Sequence, residues 1–216
     1  MYTGVMGGFY RISEWIMRLA YVNILWITFT LMGLILFGFS PATVALFSVT
    51  RKWIQGSTDI PVFKTFWKTY KQEFIKSNIL GLILAVIGYV LYLDFQLVVQ
   101  TPNSLLQLAY FPVMLIILIY LLMLLYVFPV FVHYEVNILH LLKNALLFTL
   151  MRPFNTITMA IGVIAVYFLM SVLPGLIPFF GISLLAYVLM WSSYLAFTKL
   201  ERKQTEAQSV SNDVQD

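Results

Sequence analysis

The sequence predicts an all-α polytopic membrane protein, a bundle of about five transmembrane helices with two shorter helices beside them. Three observations carry that prediction. The chain of 216 residues is 61% hydrophobic and only 10% charged, whereas soluble domains carry about 25% charge. Its mean hydropathy is +0.90. Apolar runs that suit a bilayer recur along it, since a hydrocarbon core of roughly 30 Å needs about 20 apolar residues at 1.5 Å rise each. The reading is one helical membrane domain over residues 1–200, followed by a polar tail, 204–216, whose composition predicts disorder.

Four spans read directly. Residues 79–99 hold one charge, Asp94, and residues 105–132, 153–173 and 178–198 hold none. Their punctuation agrees. Ser104 and Gln107 form a capping-box pattern after the Thr101-Pro102-Asn103 turn, and Pro153 suits a first helical position. Pro174-Gly175 with Pro178 makes a tight turn that joins the last two spans into an αα-hairpin.

The first apolar segment, 19–50, is too long for one crossing and too short for two. Gly38-Phe39-Ser40-Pro41 is the expected break, because Gly38 permits a turn, Ser40 can cap and Pro41 fits a first helical turn. This gives a span at 19–37 and a short helix from Pro41 to Ile54, at the interface or re-entrant. Arg11 and Arg18 precede the run as they would in a signal peptide. The run continues to Thr50 without a small-x-small cleavage site, so it is read as a retained anchor.

Charge sets the orientation. Arg51, Lys52, Lys64, Lys68, Lys71 and Lys76, then Lys143 and Arg152, then Lys199, Arg202 and Lys203 fall on one side if the last four spans alternate. The positive-inside rule makes that side, and the C-terminus, cytoplasmic. Arg11 and Arg18 depend on the first segment: a single crossing, the arrangement favoured from sequence, leaves the N-terminus outside, and a re-entrant pair keeps it inside. The net charge of +4 is too dispersed for nucleic acid. The chain has no cysteine, which excludes disulfides, thiolate metal sites and a cysteine nucleophile.

Two constellations stand out. Residues 61–76 form an amphipathic helix in which Phe63, Phe66, Trp67, Tyr70 and Phe74 share a face flanked by Lys64, Lys68 and Lys71. It reads as a cytoplasmic interfacial helix anchored in anionic lipid, or as a docking face for another membrane protein. Pro41, Arg51, Lys52 and Trp53 belong to the same candidate partner or lipid surface. His133, Asn137, His140 and Asn144 make a polar stripe if the third span continues as a helix. That stripe is an interfacial face or the wetted wall of a cavity. The two histidines stand seven residues and roughly 10.5 Å apart, too far to share a metal ion, and Glu135 points to another side.

Smaller signals are structural first. Asp94 lies roughly 27 Å along the helix from Lys76, at the far interface and not the midplane. Gly81, Ala85 and Gly88 form a small-residue packing face, and Pro112 and Pro129 sit near the ends of their span. No phosphate-binding loop, H-E-x-x-H or G-x-S-x-G motif occurs, so neither enzyme activity nor a cofactor is expected.

Several motifs carry a family resemblance. They are Gly38-Phe39-Ser40-Pro41-Ala42-Thr43-Val44-Ala45-Leu46-Phe47 with Arg51-Lys52-Trp53, and Phe63-Lys64-Thr65-Phe66-Trp67. Leu141-Leu142-Lys143-Asn144-Ala145-Leu146 and Arg152-Pro153 complete the set. Over residues 5–200 the chain resembles the YesL-like family of small bacterial integral membrane proteins. The resemblance implies a multi-pass protein of the bacterial cell membrane, associated with carbohydrate ABC import. Its expected partners are the lipid bilayer and ABC permease subunits, and the family supplies no agreed site residues. The function expected is that of a non-catalytic accessory protein. The alternative, a small-solute transporter or channel, requires polar residues converging near the midplane and favours inverted repeats.

Overall fold

The computed structural model describes the backbone of residues 5–100 and 110–213, and side chains at residue 8 and within 10–100 and 110–199. The elements are α1 (Val5–Met32), α2 (Leu36–Ile54), α3 (Val62–Gln72), α4 (Phe74–Gln100), α5 (Tyr110–His133), α6 (Ile138–Met151), α7 (Pro153–Val172), a 3-10 turn (Pro174–Leu176) and α8 (Ile177–Asp213). No strand occurs among the described residues. Five helical stretches are long and apolar enough to cross a membrane: Tyr10–Met32, Phe74–Gln100, Tyr110–His133, Pro153–Val172 and Pro174–Lys199. The capping pattern at Ser104 and Gln107 lies outside the described residues.

Helix α2 is the centre of the molecule. Ala42, Val44, Ala45, Leu46, Phe47, Val49 and Trp53 are all buried, and α1, α3, α4, α5 and α8 pack around the helix. Its small residues explain the position. Gly38, Ser40, Ala42 and Ala45 present almost no side chain, so neighbouring backbones approach closely. A Cβ on Gly38 would stand 2.4 Å from the carbonyl oxygen of Thr30 in α1, and a Cβ on Gly81 would stand 2.3 Å from Ser40 Oγ.

The break in the first apolar segment falls earlier than the sequence predicts. It occupies 33–35, and Gly38 and Pro41 lie inside α2. Gly38 serves the close helix crossing instead of a turn. Pro41 is tolerated because the carbonyl of Phe37, which a residue with an N–H at position 41 would bond, accepts Asn78 Nδ2 at 3.0 Å. The turn itself is built from bulky residues. Leu34 and Ile35 both have positive φ, at 55° and 63°. Leu36 N–H donates to the Leu34 carbonyl at 2.7 Å, which closes a γ-turn on Ile35.

Helix α2 therefore folds back along α1. Trp26 Nε1 donates to Thr43 Oγ1 at 3.0 Å, and the Trp15 and Trp53 rings meet edge to face at 5.8 Å. The start of α1 and the end of α2 thus lie at the same end of one hairpin. The physical reason is the run of small residues in α2, which makes its best packing partner the helix just before it.

Two further segments differ from expectation. The stretch between the third and fourth spans is not a simple loop, because α6 occupies most of it and lays Leu141, Ala145 and Phe148 inward against α5. The polar tail from residue 204 continues α8 in its backbone as far as Asp213, where composition predicts disorder. Gln204, Glu206, Ala207 and Gln208 are good helix formers, and neither Gly nor Pro interrupts the stretch.

Candidate functional site

The aromatic face of α3 turns inward. Phe66 is fully buried and Tyr70 nearly so, and both rings pack on Phe29 of α1, at 5.2 and 5.1 Å. Trp67 joins them at 5.3 Å from Phe29, and Phe74 packs on Tyr70 at 5.6 Å. Only Phe63, 49% exposed, keeps much of its surface free. Tyr70 Oη donates to the Phe29 carbonyl at 3.2 Å, and burial raises its pKa above the ordinary tyrosine value, which keeps it a neutral donor. The aromatic residues thus fasten α3 to the hairpin, and neither lipid nor a partner can use Phe66 or Tyr70. Lys64, Lys68 and Lys71 point outward and are exposed. Lys71 Nζ lies 4.8 Å from the Trp67 ring centroid, a cation–π contact.

The second part of the expected surface also divides. Pro41 and Trp53 are core residues, Lys52 is exposed, and Arg51 is half-buried. The Arg51 guanidinium donates through Nη1 to the carbonyl of Val132. That oxygen belongs to the last turn of α5, where helix carbonyls lack intrahelical partners and a positive charge meets the negative end of the helix dipole. Arg51 is therefore a clamp between α2 and α5 and offers little to a partner.

The polar stripe is not a stripe. Helix α5 ends at His133, residues 134–137 are irregular, and α6 starts afresh at Ile138. His133 packs among Tyr134, Tyr194 and Phe197, with ring centroids at 4.6, 6.2 and 4.6 Å. Asn137 and His140 are exposed and Asn144 is half-buried on the new helix. A stripe at this spacing requires a helical continuity that the chain does not keep. No group of three or more His, Cys, Asp or Glu side chains placed to hold a metal occurs among the described residues. Asp94 is exposed on α4. Gly81 meets Ser40 of α2 and Gly88 meets Tyr120 of α5, so the small-residue face receives helices of its own chain.

Asn23 belongs to none of the sequence motifs. It is 1% exposed within α1. Its Nδ2 donates to the Pro178 carbonyl at 2.7 Å, and its Oδ1 accepts the N–H groups of Ile182 and Ser183 at 3.1 and 3.0 Å. Pro178 and Ile182 are the two ends of one i→i−4 step of α8, so the amide of Asn23 bonds backbone groups in the first turns of that helix. A lone Asn in an apolar run was the available signal. A second buried network joins α5 to the α6–α7 junction: Tyr126 Oη and Thr156 Oγ1 lie 3.2 Å apart, and Thr156 Oγ1 donates to the carbonyls of Arg152 and Thr149.

Comparison with known proteins places this architecture. Residues 19–95 match the family model described as "Protein of unknown function, DUF624". The match runs from the middle of α1 through α2 and α3 into most of α4. The chain is 43% identical over 211 residues to "Uncharacterized protein YteU" of Bacillus subtilis (strain 168), covering 98% of this chain and 95% of that protein. It belongs to the DUF624, YesL-like family. Two more members from the same organism are "Uncharacterized protein YesV", 39% identical with 96% and 100% of the two chains covered, and "Uncharacterized protein YesL", 38% identical with 94% and 96% covered. No solved structure matches.

Proposed function

We propose that this DUF624 protein is a non-catalytic accessory subunit of the cell membrane that works beside a carbohydrate ABC uptake system, by contact with its permease subunits. The observation that carries the reading is the content of the core. The polar residues buried among the described ones are Asn23 and a set of Ser and Thr hydroxyls, with no Asp, Glu, Lys or Arg. Several of those hydroxyls bond carbonyls of their own helix, as Thr50 does to Leu46 and Thr149 to Ala145. The bundle centre is a packed helix, where a solute path would call for converging polar groups. What such a molecule presents to others is its surface. The link to carbohydrate uptake rests on the family resemblance.

The experiment is copurification of the tagged full-length protein in mild detergent. An ABC permease subunit recovered in stoichiometric amount is the expected result. A protein that runs alone, and that moves a sugar or ion when reconstituted into liposomes, overturns the reading in favour of a small-solute transporter.

A further inference from the structure

The turn between α1 and α2 is apolar and exposed. Leu34 and Leu36 are 79% and 82% exposed, and Leu31, Met32, Ile35 and Phe37 are exposed beside them. Turns that face water are polar, so a cluster like this one marks a surface meant for something else. Several carbonyls in and beside it are already engaged. Phe29 O accepts Gly33 N–H and Tyr70 Oη, Thr30 O accepts Ile35 N–H, Leu31 O accepts Leu34 N–H, and Phe37 O accepts Asn78 Nδ2. Internal satisfaction of the backbone is the condition that hydrocarbon imposes. The γ-turn at Ile35 is a strained way to meet it, and strain of this kind persists where the surroundings demand it.

Helix α3 lies directly beside this turn. Tyr70 reaches Phe29 at the base of the turn, and the exposed lysines stand on the helix's opposite face. Arg18 with Glu14 is the one ion pair among the described residues. Asp59 and Glu73, the acids nearest in sequence, therefore leave Lys64, Lys68 and Lys71 unneutralised.

We infer that the α1–α2 turn and α3 form one lipid-binding foot, in which the turn enters the acyl chains and the three lysines hold the phosphates of anionic phospholipids. Apolar insertion beside a basic row is the two-part arrangement by which elements bind an anionic bilayer surface. A free anion would leave the apolar turn without a role, which favours the lipid as the source of the phosphate. The inference does not depend on the carbohydrate-uptake reading.

Two measurements on the full-length protein test it. In native mass spectrometry from mild detergent, the protein retains phosphatidylglycerol over phosphatidylcholine. The Lys64→Gln/Lys68→Gln/Lys71→Gln variant loses that preference, by roughly fivefold per lysine, and the corresponding triple Arg variant keeps it. An unchanged preference in the Gln variant overturns the headgroup role. For the turn, Leu36→Cys is the sole thiol of the chain. An environment-sensitive probe there, in phosphatidylglycerol-containing vesicles, is quenched by brominated lipid chains and shielded from aqueous iodide. Quenching by iodide alone overturns the membrane-inserted turn.

Discussion

Asn23 shows what one polar residue does in an apolar helix. Its amide bonds backbone groups in the first turns of α8 and ties that helix to α1. Side-chain hydrogen bonds inside membrane proteins average about 0.6 kcal/mol and reach about 1.7. We predict that Asn23→Leu lowers stability within that range, read as a fall in the thermal midpoint of the detergent-solubilised protein. No change would mean that the α8 ladder closes without help. Pro41 and Asn78 give a coupled prediction. Asn78 bonds the carbonyl that Pro41 cannot, so Asn78→Ala destabilises the native chain by about 0.5–1 kcal/mol, and less once Pro41→Ala restores the N–H. Equal losses in the two backgrounds would refute the compensation. Neither role was legible in the sequence, because both depend on a residue far along the chain.

At the scale of elements, the α1–α2 hairpin is held by the absence of side chains. A methyl group on Gly38 would stand 2.4 Å from Thr30 O and 2.7 Å from Phe29 O, both backbone atoms that cannot rotate away. Gly38→Ala should cost about 1–3 kcal/mol as an overpacking change. Gly8→Ala, with nothing within 4 Å, should be neutral or better. Melting curves of the two variants decide, and equal midpoints would remove the close crossing from the account. The sequence marked Gly38 as special but assigned it the wrong task, since a glycine that permits a turn and one that permits a contact look alike in one dimension. The amphipathic pattern over 61–76 located a helix, but α3 ends at Gln72 and Phe74 opens α4. It left open which solvent the aromatic face meets, and the answer is the Phe29 side of α1. Helix α6 went unread because its apolar residues were placed in a charged connection, with Lys143 and Arg152 weighing more than Leu141, Ala145 and Phe148.

For the whole molecule, the fold-back of α2 sets a topology. Because Trp15 meets Trp53, single cysteines at Gly8 and at Ser57, both exposed positions, are predicted to react with an impermeant thiol reagent from the same side of the membrane. Labelling from opposite faces would restore the single crossing and contradict the hairpin. The same arrangement sets Arg18, over the Trp15 ring, at the end of the hairpin that carries Arg51 and Lys52.

The sequence by itself determined that the chain is a helical membrane bundle, how many stretches can span, and which segments carry its positive charge. These follow from length and hydropathy, properties that neighbouring residues share and that need no partner. Only the tertiary structure decided that the Pro41 helix is the core, that the aromatic face of α3 points inward, and that His133 and His140 belong to different helices. Each of these depends on which surface covers which, and an apolar face is equally satisfied by lipid or by protein until the packing selects one.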